Sequence, residues 1–247
     1  DDAKHKTWTL KEGVVKINGY NPQPGDVKFK DLRTDGVINA GDNTVDNPGD
    51  RKVIGNDAAR YQFGISLGAS YKGWSLEVLL QGVGKRDYWL GGPAMFPFGG
   101  AGAGDAVFQA LYANQTDYWR AKSYDPSSSD YMVPVNPDSK LFRIYDQGNN
   151  VGSNTRVSDK YLQNAAYMRI KNITLAYTLP KEWVRRAFIQ DAKFYLSIEN
   201  LATFSSLPKG YDPEGTAPSS TANALSNGIS WGYPYYRTIS LGASITF

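Results

Sequence analysis

The feature that most constrains the fold is a series of long segments in which every second side chain is apolar. The clearest covers residues 61–71, where Tyr, Phe, Ile, Leu and Ala alternate with Gln, Gly and Ser. A period of two places all the apolar side chains on one face of a β-strand. The alternation resumes at residues 74–81 after Lys72-Gly73, a turn signal. The sequence therefore predicts a hairpin of two long strands.

The same pattern returns further along the chain. Three more predicted strands cover residues 167–179, 192–204 and 239–247. In the first of these, the apolar side chains up to Ile170 and those from Ile173 onward fall on opposite faces, so a β-bulge near Lys171 is predicted. Strands of about 11 residues exceed the usual length of about 5–6 and match the roughly 9–11 that cross a membrane.

The predicted connections alternate between short and long. Residues 72–73 and 180–191 are short, whereas residues 88–160 and 206–234 are long, as in transmembrane barrels. No apolar run approaches the roughly 18 residues of a membrane-spanning helix, so only a barrel could cross a bilayer. We therefore predict an all-β chain that contributes about five C-terminal strands to a large antiparallel transmembrane β-barrel with long extracellular loops. Because five strands cannot close a barrel, we expect an upstream remainder of the same barrel.

Composition excludes several classes of function. A formal charge of +3, spread along the chain, predicts no nucleic-acid surface. Without Cys and with only His5, the chain offers no thiolate chemistry and no multi-His metal site. Asp212 and Glu214 could be a carboxylate pair for glycoside hydrolysis, but neighbouring acids at a proline turn favour a structural role. No catalytic residues are predicted, and the chain is not expected to be an enzyme.

One loop has the spacing of a calcium site. Its predicted ligands are Asp31, Asp35, the carbonyl of Val37, Asn39 and Asp42. Gly36 occupies the sixth position, where such loops turn sharply. Arg33 at the third position and Asp42 in place of a chelating Glu depart from the pattern. The alternative is a turn-rich loop held by hydrogen bonds from its Asp and Asn side chains.

Three tryptophans are candidates for substrate binding. Trp89, Trp119 and Trp231 lie in or beside the predicted extracellular loops, where aromatic faces could stack on sugar rings. Interface girdles and loop packing use the same residue type. Both roles therefore remain open for each of them.

Four segments resemble, in the expected order, the C-terminal part of the SusC/RagA family of TonB-dependent transporters. The most specific is AYMRIKNITLAYTLP at residues 166–180, similar to the family's SYLRLKNITLGYTLP. The first segment, within residues 24–55, contains PGDVKFKD, DGVIN, DR and IG. The second is YKGW at residues 71–74, followed by QG at 81–82. The last, within residues 196–214, contains LSIENL and GYDPE. The terminal Phe247 on an alternating strand also resembles the assembly signal of outer-membrane barrels.

The resemblance implies a barrel of about 22 strands, plugged by an N-terminal domain and driven by TonB. It implies a SusD-like surface lipoprotein as partner and import of oligosaccharides or peptides across the outer membrane of a Gram-negative bacterium. Residues 1–60 would form an extracellular loop region containing the acidic loop, and residues 61–247 the membrane strands and remaining loops. The loops would be extracellular and the C-terminus periplasmic.

The alternative prediction is a secreted β-sandwich that binds glycans with calcium. Its solubility without detergent would distinguish it from a barrel. A glycosidase comes third, and only turnover of oligosaccharides would support it.

Overall fold

The chain is described here by a computed structural model. It describes residues 14–17, 20, 22–89, 96, 111, 113–144, 153–215 and 235–247. The described residues belong to two compact units. One unit contains residues 14–54, 89–144 and 153–161, and the other contains residues 55–88, 162–215 and 235–247.

Strands dominate the described residues. They are β1 Lys16–Ile17, β2 Val37–Ile38, β3 Arg60–Tyr71, β4 Trp74–Lys85, β5 Asp87–Trp89, β6 Leu162–Asn164, β7 Tyr167–Thr178, β8 Asp191–Ser205 and β9 Thr238–Thr246. One short α-helix, α1, covers Lys181–Val184, and single 3-10 turns cover Ala113–Gln115, Asp159–Tyr161 and Arg185–Ala187. No described helix is long and apolar enough to cross a membrane.

The second unit contains a sheet of five strands in the order β3-β4-β7-β8-β9, each antiparallel to its neighbour. This confirms the all-β prediction and its five long strands. Lys72 and Gly73 close the first hairpin with φ of 46° and 87°. Positive φ at both central residues is the geometry of a type I′ turn, whose twist matches that of the strands it joins.

The predicted bulge is present in β7. Ile170 pairs with Leu80 on β4 and Asn172 pairs with Leu79, so Lys171 has no partner across either ladder. The extra residue reverses the alternation and brings Ile170 and Ile173 to the same face. An uninterrupted apolar face therefore requires the bulge.

The two faces of the sheet differ in chemical character at the centre of the strands. A central row on one face is formed by Leu67, Val78, Ile173, Ile198 and Ile239. The next row along the chain on the other face is formed by Gly68, Glu77, Thr174, Ser197 and Ser240. Because paired residues share a face, we name these the apolar face and the polar face.

A close approach inside this sheet gives the first prediction. A Cβ atom at Gly82 would collide with the Tyr167 carbonyl and come within 2.5 Å of the Phe63 ring. We expect Gly82→Ala to destabilise the protein by about 1–3 kcal/mol, measured by urea unfolding in lipid or detergent. Gly68→Ala is the matched control, because nothing lies within 4 Å of a Cβ atom there. Equal effects of the two substitutions would show that the contact at Gly82 is not tight.

The first unit has an aromatic core. Its buried residues are Val27, Phe96, Leu141, Phe142 and Tyr161. Phe96 is central, with ring centroids 4.8 Å from Tyr161 and 5.7 Å from Phe142. Strands β1 and β2 form a two-residue parallel ladder in the same unit. Aromatic packing, with little sheet, organises this unit.

Candidate functional site

The apolar face of the five-stranded sheet is largely open to its surroundings. Leu67 is 56% exposed, Ile239 64% and Leu241 83%. Soluble monomers rarely leave a contiguous apolar patch of several hundred Å² uncovered. A face of this kind is the feature expected where strands meet lipid.

One end of the apolar face carries an aromatic row. Tyr71, Trp74, Tyr177 and Phe194 are consecutive cross-strand partners on β3, β4, β7 and β8. The rings of Trp74 and Tyr177 lie 4.7 Å apart between centroids. This row adjoins the two short turns of the sheet, at residues 72–73 and after β7. Aromatic rows of this kind occur at the level of lipid headgroups in membrane strands.

The polar face holds a hydrogen-bonded network at its centre. Asn172 Nδ2 donates to Ser197 Oγ over 3.0 Å, and the hydroxyl groups of Thr174 and Ser197 are 3.1 Å apart. Thr174 Oγ1 also donates to Asn172 Oδ1 over 2.9 Å. Small hydroxyl and amide side chains therefore line this face and can present donors and acceptors to water or a solute.

At the other end of the polar face, an arginine binds the loop that follows β8. The guanidinium of Arg169 donates to both carboxylate oxygens of Asp212 over 2.7 Å and to Glu214 Oε2 over 2.8 Å. Its Nε donates to Thr203 Oγ1 over 2.7 Å. The side chain of Arg169 is only 2% exposed. Hydrogen bonds between charged groups are shorter and stronger than those between neutral groups, so these contacts hold the loop at a defined position on β7.

A second cation completes what we name the Arg169 cluster: Arg169, Lys171, Asp212 and Glu214. The ammonium group of Lys171, carried by the bulge, lies 2.9 Å from Glu214 Oε2. Lys171 and Arg169 also lie over the Tyr235 ring, 4.5 Å and 5.1 Å from its centroid. The bulge therefore keeps the apolar face continuous, and its own residue, Lys171, contributes a cation to the polar face.

The environment of Asp212 keeps it ionised. Burial raises the pKa of its carboxyl, but hydrogen bonds from the backbone N–H groups of Glu214 and Tyr235 and from Arg169 outweigh burial, so the pKa is lowered. A glycosidase acid needs a raised pKa and an open approach to the scissile bond. The contacts of Asp212 and Glu214 with Arg169 instead support the structural role that is expected of acids at a proline turn.

No sequence pattern by itself marks Arg169 as a functional residue. A signal was available, since Arg169 falls on the polar side of a strand whose other side is apolar, and an Asp-Pro-Glu motif follows in the next long loop. Two separate segments would have had to be linked, because Arg169 and Asp212 are 43 positions apart in the sequence. No periodic pattern reports a contact of that kind.

The predicted calcium loop uses its side-chain oxygens internally. Asp31 accepts the N–H groups of Thr34 over 2.6 Å and Gly36 over 2.9 Å. Asp35, Asn39 and Asp42 also accept one N–H group each, from Val37, Gly41 and the Asn47 amide. Among the described residues, no group of three or more acidic or His side chains could hold a metal ion. These bonds fit the turn-rich alternative, and calcium binding at Asp31, Asp35, Val37, Asn39 and Asp42 stays a prediction.

Asp50 organises this loop, a role that the calcium-loop spacing does not predict. Its carboxylate accepts the N–H groups of Leu32 over 2.9 Å, Asn39 over 2.8 Å and Arg33 over 3.3 Å. Burial raises its pKa, but these hydrogen bonds and the charge of Arg33 lower it by more. The Asp50 carboxylate therefore links Leu32 and Arg33, at the start of the loop, to Asn39.

The three candidate tryptophans are placed differently. Trp119 is 7% exposed, and its indole lies so close to Gly25 that a Cβ atom there would come within 2.5 Å. Trp89 is half-buried, with its ring centroid 5.9 Å from that of Phe96. Trp231 lies outside the described residues. Trp89 and Trp119 have the contacts expected of loop packing, and substrate binding by any of the three stays a prediction.

Comparison with known proteins gives relatives of one kind. The chain is 26% identical over 241 residues to TonB-dependent receptor P3 of Formosa agariphila, covering 96% of this chain and 20% of the relative. It is 24% identical over 244 residues to TonB-dependent receptor P26 of the same organism, covering 98% of this chain and 22% of the relative. No family model matches the chain.

Among solved structures, the RagAB peptide transporter is 22% identical, with a TM-score of 0.45, over 75% of this chain and 17% of that chain. The chain spans about a fifth of the length of the curated relatives it matches. Over nearly its whole length it resembles a segment of these TonB-dependent receptors.

Proposed function

We propose that this chain forms part of the wall of an outer-membrane, TonB-dependent importer. Its five long strands cross the bilayer with the apolar face toward lipid and the polar face toward the lumen. The observation that carries the proposal is the apolar face itself, continuous over five antiparallel strands and open along its length. Similarity to two TonB-dependent receptors over almost the entire chain supports it independently.

The height of the apolar face suits a bilayer. The paired rows from Phe63 to Tyr71 on β3 are eight residues apart, which is roughly 27 Å along a strand. A tilt of about 40° reduces this to roughly 20 Å, near the apolar band of about 25 Å of outer-membrane barrels. The aromatic row then lies at one edge of that band.

The proposed orientation follows from the connections. Outer-membrane barrels have short turns on the periplasmic side and longer loops outside. The turns after β3 and β7 adjoin the aromatic row, at the same end of the sheet as the C-terminal end of β9. That end faces the periplasm in this proposal, and residues 1–60, 88–160 and 206–234 face the exterior.

The proposed partners are the upstream remainder of the barrel and its plug, TonB, and a SusD-like surface lipoprotein. The proposed cargo is an oligosaccharide or a peptide. Trp89, Trp119 and Trp231 are the proposed aromatic contacts to it, and the Asp31 loop the proposed calcium site. The lumen-facing polar face supports passage of a hydrophilic cargo, because its donors and acceptors can replace those of water.

The test is native purification through this chain from detergent-solubilised outer membranes, followed by mass spectrometry. We expect recovery of a plug-and-barrel polypeptide and a SusD-like lipoprotein. Uptake of labelled oligosaccharides and peptides by cells with and without the gene then assigns the cargo class. A species that stays soluble without detergent and brings no lipoprotein would contradict the importer and favour the β-sandwich.

A further inference from the structure

The turn between β7 and β8 presents two aromatic side chains to the outside. It contains α1 at Lys181–Val184 and the 3-10 turn Arg185–Ala187. Trp183 is 64% exposed and Phe188 92%. Large aromatic side chains are not left this exposed to stabilise a fold, since they gain stability by burial. Their exposure points to a contact outside the chain.

The turn is held firmly in its shape. The N–H group of Ile189 donates to the Val184 carbonyl over 3.2 Å, and that of Gln190 donates to the Thr246 carbonyl on β9 over 2.8 Å. Val184 is buried, with 4% exposure. The two aromatic side chains are therefore presented from a fixed backbone and not from a loose loop.

Phe188 is also strained. Its φ of 59° lies in the left-handed region, which is unfavourable for a bulky residue and natural for glycine. The N–H group of Phe188 donates to the Arg185 carbonyl over 3.1 Å, which closes the turn. A strained residue whose ring is solvent-exposed gains little from packing, and such outliers concentrate at functional positions.

The same turn carries three basic residues close in sequence to these rings. Lys181, Arg185 and Arg186 are exposed, and within the described part of the chain none of them forms an ion pair. Within residues 181–191 the acidic residues are Glu182 and Asp191, the first residue of β8, so cations outnumber carboxylates three to two. Lys181, Arg185 and Phe188 line one open cavity of about 560 Å³ with Asp191. The cavity therefore combines anion-binding groups with an exposed ring.

The turn lies just beyond the aromatic row of the apolar face. Tyr177 belongs to that row, and α1 begins four residues later. If the row marks the headgroup level of the bilayer, as the proposed function requires, the turn lies at the depth of the phospholipid phosphates. Cationic side chains there are attracted to anionic lipid, and Arg binds phosphate in a bidentate manner.

We propose that this turn is a binding site for phospholipid headgroups in the leaflet at the short-turn end of the sheet. Lys181 and Arg185, which line the cavity, bind the phosphate, Arg186 adds positive charge to the same turn, and Trp183 and Phe188 insert into the interfacial region. The site would anchor the barrel wall at the end of the sheet where β9 finishes. This inference rests on the proposed membrane orientation of the strands.

The test compares lipid binding by variants of the intact protein in detergent, with phosphatidylglycerol as the probe and native mass spectrometry as the readout. We expect the triple variant K181Q/R185Q/R186Q to bind phosphatidylglycerol about tenfold or more weakly, because each basic side chain contributes to attraction of anionic lipid. The matched control is K28Q/K52Q/K140Q, which removes the same charge from exposed positions of the other unit and should bind as the wild type does.

Phe188→Gly separates lipid binding from a structural role. It relieves the left-handed strain, so we expect unchanged or higher resistance to urea together with weaker lipid binding. Inorganic phosphate in place of the lipid should give no comparable binding, and tight phosphate binding would identify a free-anion site instead. Equal lipid retention by the wild type and the triple variant would overturn the proposal. If the protein stayed soluble without detergent, the proposed membrane function would fail together with the lipid site. If it required detergent but the triple variant bound lipid normally, only the lipid site would fail.

Discussion

Arginine in place of Leu67 is expected to cost about 2–4 kcal/mol of folding free energy in a bilayer, the range for a cation at the midplane of a barrel's lipid face. Leu67 lies midway between Phe63 and Tyr71 on β3, in the row completed by Val78 and Ile173. At the bilayer centre an arginine side chain is far from both interfaces, so it cannot easily reach water. The free energy is measured by urea titration of the intact protein folded into phospholipid vesicles.

The neighbouring residue provides the control. Ser66 is exposed, lies on the polar face of the same strand, and pairs with Leu79. Ser66→Arg should change the unfolding free energy by no more than about 0.5 kcal/mol, because a side chain on the polar face remains in water in the proposed orientation. If the two variants were equally stable, the apolar face would not face lipid. If Leu67→Arg were destabilised equally in buffer without lipid, burial between two sheets would be the better explanation.

The strands of the sheet could be predicted because their signal is local. A period of two depends only on consecutive residues, and it located the β3–β4 hairpin and, through the break at Lys171, the bulge in β7. Strands of two or three residues, such as β1 Lys16–Ile17 and β6 Leu162–Asn164, are too short to show a period. They form where packing brings segments together, so propensity alone does not predict them.

Side-chain roles in the loops were harder to predict for the same reason. Trp119 is an aromatic residue in a predicted extracellular loop, which suggested ligand stacking. Its ring instead lies against Gly25, which is distant in sequence. Asp31 has the spacing of a calcium ligand, yet its oxygens accept N–H groups from Thr34 and Gly36. Spacing identifies which atoms could converge, but competing backbone donors decide which contacts form.

The Arg169 cluster should carry the largest electrostatic contribution to stability in the described part of the chain. Arg169→Met leaves Asp212 buried with its main cation removed, while Glu214 keeps only Lys171. Removing one partner of a buried pair costs about 3–5 kcal/mol, because the remaining charge is left without compensation. The measurements are urea unfolding of the intact protein and the rate of proteolysis within residues 206–215, the loop that the cluster binds to β7.

An exposed pair serves as the control for this effect. Lys122 and Asp130 are 3.7 Å apart, with side chains 54% and 56% exposed. Lys122→Met should cost less than about 1 kcal/mol, as is usual for surface ion pairs. Both substitutions replace a cation by methionine, so the comparison contrasts a buried, multiply hydrogen-bonded cation with an exposed one.

The triple variant Arg169→Met, Asp212→Asn and Glu214→Gln tests whether the loss comes from uncompensated charge or from lost shape. Neutralising both carboxylates removes the uncompensated charges, so we expect most of the lost stability to return, because replacing a complete buried ion pair is often nearly neutral. Lys171 is 28% exposed and can turn toward water. If the triple variant remained as unstable as Arg169→Met, packing by the arginine stem and its bond to Thr203 would be the dominant contribution. If Arg169→Met alone were as stable as the wild type and equally resistant to proteolysis, the carboxylates would be solvated and the cluster would not hold the loop.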